Sequence, residues 1–150
     1  MSMQRAVSSP LQNTPHKTIL IVEDDDDIGS ILKDVLAMEP DFRVLLAKNA
    51  HDAFKVMHTV MPHLVLLDYQ LPNMNGLQFF DRMRRIGEFE KIPVVIISAN
   101  LPYAELLKRH LVGLEKPFDI DEVIHTVRWM LATSSDENLT IQSTVAQRFS

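Results

Sequence analysis

The chain has no cysteine, so a disulfide framework and a thiolate metal site are both excluded. Glycine occurs only four times, and the sequence holds no G-x-G-x-x-G, no P-loop and no G-x-S-x-G. Nucleotide-dependent and serine-hydrolase readings therefore lack support. Basic charge is outweighed: 15 Lys and Arg stand against 20 Asp and Glu, for a formal charge of −5. A general nucleic-acid binder usually carries a basic face, and no basic recognition helix is seen, so direct DNA binding is not expected. Long apolar runs are missing as well. The longest, ILIV, VLLA, LVLL and VVII, fall far short of the ~20 residues a membrane helix needs, so no membrane span is expected. The opening MSMQRAVSSPLQNTPHK lacks the continuous apolar segment of a secretory signal. Residues 1–16 read as a flexible polar leader, residues 133–150 as a polar tail or linker, and the protein as cytoplasmic. The Asn138-Leu139-Thr140 acceptor pattern is read as a chance match in a chain with no export signal.

What is present is a chain of 150 residues with 46% apolar content, the size of one domain with room for a core. Short apolar runs at 19–22, 42–47, 64–67, 94–97 and, more weakly, 111–114 alternate with segments of helical period. Several runs are apolar at consecutive positions, as expected of strands covered on both faces. Between them, Ile28, Ile31, Leu32, Val35 and Leu36 form a stripe that ends before Pro40. Ala50, Ala53, Phe54, Met57, Val60 and Met61 form a second, stopped by Pro62. Phe80, Met83 and Ile86 mark a third helix, Tyr103, Leu106 and Leu107 a short fourth, and the positions from Ile120 to Leu131 a fifth. Five β-α units in series imply a parallel sheet with helices on both faces, joined by right-handed crossovers. In such sheets the ligand site lies beyond the carboxyl ends of the strands.

The residues at those ends are therefore the candidates. The first strand delivers Glu23 and Asp24, the third Asp68, the fourth Ser98 and the fifth Lys116. Converging carboxylates repel one another unless a cation joins them, and oxygen ligands without His or Cys favour Mg²⁺. A carboxylate can also attack phosphorus, and Asp68, aimed by a short apolar strand, is the best candidate for that nucleophile. Mg²⁺, the Lys116 ammonium and the Ser98 hydroxyl would then neutralise and hold the phosphoryl oxygens.

Plainer readings exist for each residue: Asp25, Asp26 and Asp27 are most simply the acidic start of the first helix, and Asp68 taken alone could be a turn residue. An EF-hand starting at Asp24 fails, with Ile28 and Val35 at its fifth and twelfth positions. A phosphatase of the Asp-x-Asp type fails at Gln70, where it needs a second acid.

Taken in order, ILIVEDD, LVLLDYQLPNMNG, IPVVIISA and LEKPF resemble the motifs of the receiver domain of two-component response regulators, over roughly residues 17–132. The resemblance implies a flavodoxin-like doubly wound (βα)5 fold with strand order 2-1-3-4-5. It implies that Asp68 accepts a phosphoryl group from a sensor histidine kinase or a phosphotransfer protein, and that the protein is no enzyme beyond its own phosphorylation and dephosphorylation. It also implies Mg²⁺ held by Asp24, Asp68 and the Gln70 backbone carbonyl, with Glu23 acting through water, and Lys116 and Ser98 as partners of the phosphate. Output would pass through protein–protein contacts, including a homodimer on the face of the fourth and fifth helices, where Trp129 is either a core edge or an anchor.

One departure stands out. Three residues before the lysine the family usually carries a switch aromatic, and here that position is Gly113. With the shortened segment before it, this keeps a second reading open, a degenerate receiver that assembles without phosphate.

Overall fold

The computed structural model describes residues 16–134, and the leader, most of the tail and the Asn138 pattern lie outside the described residues. Five strands, β1 (Lys17–Val22), β2 (Phe42–Ala47), β3 (Leu64–Asp68), β4 (Val94–Ser98) and β5 (Val112–Glu115), form one sheet in the order β2-β1-β3-β4-β5. All neighbours pair in parallel. The helices between and after them are α1 (Asp26–Ala37), α2 (Ala50–Thr59), α3 (Gly76–Arg84), α4 (Tyr103–Lys108) and α5 (Ile120–Thr133), with a 3-10 turn at Gly87–Phe89.

The unbroken apolar strands are explained by two separate cores. Side chains alternate across the sheet. Leu20, Val22, Val65, Leu67 and Ile96 pack on one side with Met57, Phe79, Met83 and Leu106, from α2, α3 and α4. Ile19, Ile21, Leu64, Leu66, Val95 and Ile97 pack on the other with Leu32, Leu36, Val123 and Val127, from α1 and α5. Each central strand residue is thus covered whichever way it points, and hydrophobic residues can follow one another directly.

Helix starts are written locally. The Asp25 carboxylate accepts from the Asp27 and Ile28 amides and caps α1, so the acidic run is in part a helix start. Asn49 caps α2, Asp119 caps α5, and Asn75 with Gln78 makes a reciprocal capping box on α3. At α4, Pro102 stands in the cap position and offers no side-chain bond.

Several sequence expectations need correction. Ile31 is 56% exposed although it falls on the α1 stripe, because the helix seats itself through Gly29, Leu32 and Leu36, with Ile28 packed partly beside them. The third helix stops at Arg84, short of Ile86, and its most deeply buried aromatic is Phe79, stacked on Phe54 with centroids 4.5 Å apart. The last strand is displaced by one residue from the apolar run, and Thr133, assigned to the tail, is the last residue of α5.

Between α5 and the start of β2, Arg128 bonds Glu39 and both oxygens of Asp41, and its guanidinium lies over the Phe42 ring at 4.7 Å. The pairing lowers the Asp41 pKa. Solvent screens this cluster, so Arg128→Ala is expected to cost only about 1 kcal/mol in urea denaturation, shared between the lost ion pairs and the lost stacking.

Candidate functional site

β3 and β4 extend one residue beyond their apolar runs, and those last residues are Asp68 and Ser98, each 5% exposed. Glu23 follows β1 directly and is 2% exposed, whereas Asp24 beside it is open to solvent. Lys116 follows β5, and its amide donates to the Ser98 carbonyl at 2.9 Å, continuing the β4–β5 ladder. The Lys116–Pro117 bond is cis.

These ends converge. The Lys116 ammonium lies 3.4 Å from Glu23 Oε1 and 3.6 Å from Asp68 Oδ1, so it bridges two buried carboxylates rather than facing Asp68 alone. Oxygens of Glu23, Asp24 and Asp68 all lie within 4.8 Å of one another. The Asp25 amide donates to Glu23 Oε2 at 3.2 Å, and the Gln70 amide to Asp68 Oδ1 at 3.2 Å.

The electrostatics follow from that crowding. The Glu23 carboxyl is pushed up to about 8, first by burial, then by its hydrogen bond with Asp68 and the Asp68 charge. The Asp25 amide and the Lys116 charge pull in the opposite direction without overcoming these. A buried acid held protonated near neutral pH beside two other carboxylates is short of positive charge. The donor set is all oxygen, which fits a small hard divalent cation such as Mg²⁺.

Ser98 takes a different posture. Its Oγ accepts from the Asn100 amide at 3.0 Å, a local turn bond that occupies the hydroxyl oxygen. Gln70 is exposed and forms an antiparallel bridge with Asn75 across the loop after β3. Within that loop Asn73 adopts φ 72°, which its short polar side chain tolerates.

Sequence reasoning left two features of the site unread. Gly76 opens α3 directly against the end of β3: its amide donates to the Tyr69 carbonyl at 2.7 Å, and a Cβ there would sit 2.9 Å from the Asp68 carbonyl oxygen and 3.0 Å from Tyr69 Cα. The capping pattern Asn75-x-x-Gln78 was the legible signal that a helix starts at this point. At Gly113 the volume of a side chain is already taken, since a Cβ would lie 2.9 Å from a Leu106 methyl and 3.0 Å from both Leu101 methyls. Trp129 is partly buried against the core that α5 shares with α1, which agrees with the core-edge reading.

Among known proteins, the family model described as the response regulator receiver domain matches residues 19–128. Response regulator Rre1 of Synechocystis sp. is 32% identical over 119 residues, covering 77% of this chain and 52% of that protein, so the chain spans about half the length of that relative. Sporulation initiation phosphotransferase F of Bacillus subtilis is 31% identical, covering 81% of this chain and 98% of its own. The crystal structure of a sensor protein from Polaromonas sp. JS666 superposes with a TM-score of 0.72 at 26% identity, covering 80% of this chain and 99% of that one. Among the described residues no helix is long and apolar enough to cross a membrane. Receiver domains are signalling modules that interact with histidine kinases or phosphotransfer proteins, and this chain belongs to the response regulator receiver domain family of two-component systems.

Proposed function

We propose that the protein is a cytoplasmic receiver that takes a phosphoryl group onto Asp68 in a Mg²⁺-dependent reaction and signals through protein–protein contacts. The observation that carries this reading is the bridging position of Lys116, 3.4 Å from Glu23 and 3.6 Å from Asp68 although 93 positions separate it from Glu23. A lysine held between buried acids at a shared strand edge has little value for stability alone, because its desolvation offsets its ion pairs. It has clear value where further negative charge must be received.

In the proposed reaction an Asp68 oxygen attacks phosphorus, and a P–O bond forms as the P–N bond to a partner histidine breaks. The imidazole leaves with the bonding electron pair. Glu23, Asp24, Asp68 and the Gln70 carbonyl would hold Mg²⁺, which supplies positive charge for the phosphoryl oxygens. Lys116 meets a second oxygen, and the Ser98 hydroxyl turns from the Asn100 amide to donate to a third. The strands fix the backbones of Asp68 and Ser98, so at Ser98 transfer asks only the hydroxyl to turn. The face made by α4 and α5, where Tyr103 and Leu107 are each 42% exposed, is the contact surface this reading uses, for a target or for a second copy.

The test is chemical. Incubation with Mg²⁺ and acetyl phosphate is expected to add one phosphoryl group, detected by mass spectrometry, removed by hydroxylamine and absent in Asp68→Asn. A wild-type chain that stays unmodified with both acetyl phosphate and histidine-kinase donors would sink the proposal. It would favour a receiver that assembles without phosphate, the reading motivated by Gly113 at the switch-aromatic position.

A further inference from the structure

We propose that the last turn of α3 is a docking surface for an acidic segment of a partner protein, held by Arg82, Arg84 and Arg85. The surface works whether or not Asp68 is phosphorylated. α3 begins at Gly76 against the Asp68 main chain and runs back toward the start of β4, so these arginines lie about 9–14 Å along the helix from that end. They are also on the side of the sheet opposite α1 and α5.

The arginines of the described residues differ in how they are used. Arg109 holds Asp81 and Glu105, and Arg128 holds Glu39 and Asp41. Among the described residues, Arg82, Arg84 and Arg85 make no ion pair. The acids nearest to them in the chain are otherwise engaged. Asp81 is taken by two nitrogens of Arg109, Glu88 faces His58 at 3.5 Å, and Glu90 acts on Arg84 only through its field. Two of the three guanidiniums are nevertheless fixed. Arg84 lies over the Phe80 ring at 4.3 Å and donates from Nη1 to the Phe89 carbonyl at 3.2 Å. Arg82 lies over the Phe54 ring of α2 at 5.4 Å. A stacked guanidinium keeps edge N–H groups free for an oxygen acceptor, and fixing it beforehand lowers the entropy lost on binding. Arg82 and Arg85, three positions apart, are neighbours on the helix surface and repel each other. The helix dipole favours cations in a last turn, but it does not relieve that repulsion. An incoming carboxylate does.

The same chemistry selects the occupant. Guanidinium forks match carboxylates two oxygens at a time. Phe54 and Ile86, both partly buried, add apolar contact beside the arginines, so the segment that fits mixes acidic and apolar side chains. Exposed Glu88 and Glu90 follow closely, which keeps the positive area narrow. A membrane surface draws on clusters of about 4–8 basic residues. Such a plane, or a nucleic acid, would press against both glutamates and meet a chain of net charge −5. A single peptide strand passes over α3 without touching them.

Nuclear magnetic resonance titration and fluorescence anisotropy on the full chain test this. The probe is a short labelled peptide of Glu and Phe, with its Gln-for-Glu counterpart beside it. Amide shifts are expected within residues 79–91 of the wild type, with binding that weakens as salt is raised. The double variant Arg82→Glu, Arg85→Glu is expected to lose about tenfold or more in affinity. The pair Lys33→Glu, Arg43→Glu, exposed on α1 and β2 and changing the net charge equally, is expected to bind like the wild type. Far-UV circular dichroism checks that each variant is folded, and the wild-type amide shifts need no variant. The docking surface is overturned if the Glu peptide moves no amide in 79–91, if the Gln peptide binds as tightly, or if both double variants lose affinity alike. Tighter capture by phosphatidylserine vesicles or single-stranded DNA than by the peptide also overturns it, because the occupant is then a polyanion and not a protein segment.

Discussion

In the metal-free protein, the stability contributed by Glu23 is expected to fall as pH rises from about 5 to about 8, and Mg²⁺ added at the upper end is expected to restore it. The folded Glu23 carboxyl titrates at about 8 against an ordinary value of 4.5, because it is buried and shares a hydrogen bond and a charge with Asp68. Between those values the folded state holds a proton that the unfolded chain has released. The contribution is therefore complete below the ordinary value and is lost as pH rises through the folded one. Mg²⁺ held by the ionised carboxylates would reverse the preference, so its gain should be large near pH 8 and small near pH 5. At a hundredfold excess over its Kd the ion adds ~2.7 kcal/mol, or roughly 5–10 °C in Tm for a chain of this size. His63, whose Nδ1 accepts the Thr18 amide and whose pKa is lowered by burial, works in the opposite direction, losing stability as pH falls through its ordinary 6.5. The difference between wild type and Glu23→Gln removes that background. Thermal melts of both proteins at the two pH values, with and without Mg²⁺, make the measurement. A pH-independent difference between them, or equal Mg²⁺ gains at both pH values, would contradict the assignment.

Replacing Gly76 is the second large effect. Gly76→Ala places a methyl group 2.9 Å from the Asp68 carbonyl oxygen and 3.0 Å from Tyr69 Cα, and both obstacles are backbone. Neither can swing aside as a side-chain tip would, so the start of α3 and the end of β3 must separate. The expected loss is about 1–3 kcal/mol, the usual range for overpacking, with phosphorylation of Asp68 slowed because the displaced atoms are its own main chain. Gly87→Ala is the matched control. A Cβ there meets nothing within 4 Å, so the same substitution is expected to leave both stability and phosphorylation near wild type. Urea midpoints and acetyl phosphate labelling of the pair separate a packing effect at one position from a general cost of losing glycine.

Most of the frame was legible because it is written in short-range patterns. Runs such as Leu64 to Leu67 can be uniformly apolar only if both faces are covered, and that condition implies parallel strands with helices on either side. Pro40 and Pro62 mark where two helices have ended, and Asp25, Asn49, Asn75 and Asp119 mark where four begin. The candidate site was legible for a related reason. Glu23, Asp68, Ser98 and Lys116 each end or directly follow a strand, and Asp24 lies one residue further, so the strand positions also give the site positions.

Contacts between distant segments were not legible. The α1 stripe includes Ile31 on equal terms with Leu32, yet one is 56% and the other 2% exposed, because periodicity gives a direction but not the width of the surface that covers it. That Lys116 bridges Glu23 and Asp68 depends on how far apart β1, β3 and β5 hold their ends.

By itself, then, the sequence determined the alternation of strands and helices, the order of acids, serine and lysine along their ends, and the local caps, all of them set within a few residues. Only the tertiary structure decided that Gly113 is a filled position and not a gap, that Gly76 touches the Asp68 main chain, and that Arg109 ties the end of α4 to Asp81 of α3. The physical reason is that these depend on close packing between elements far apart in the chain. There a few tenths of an ångström between atoms set the outcome, and no residue pattern carries that distance.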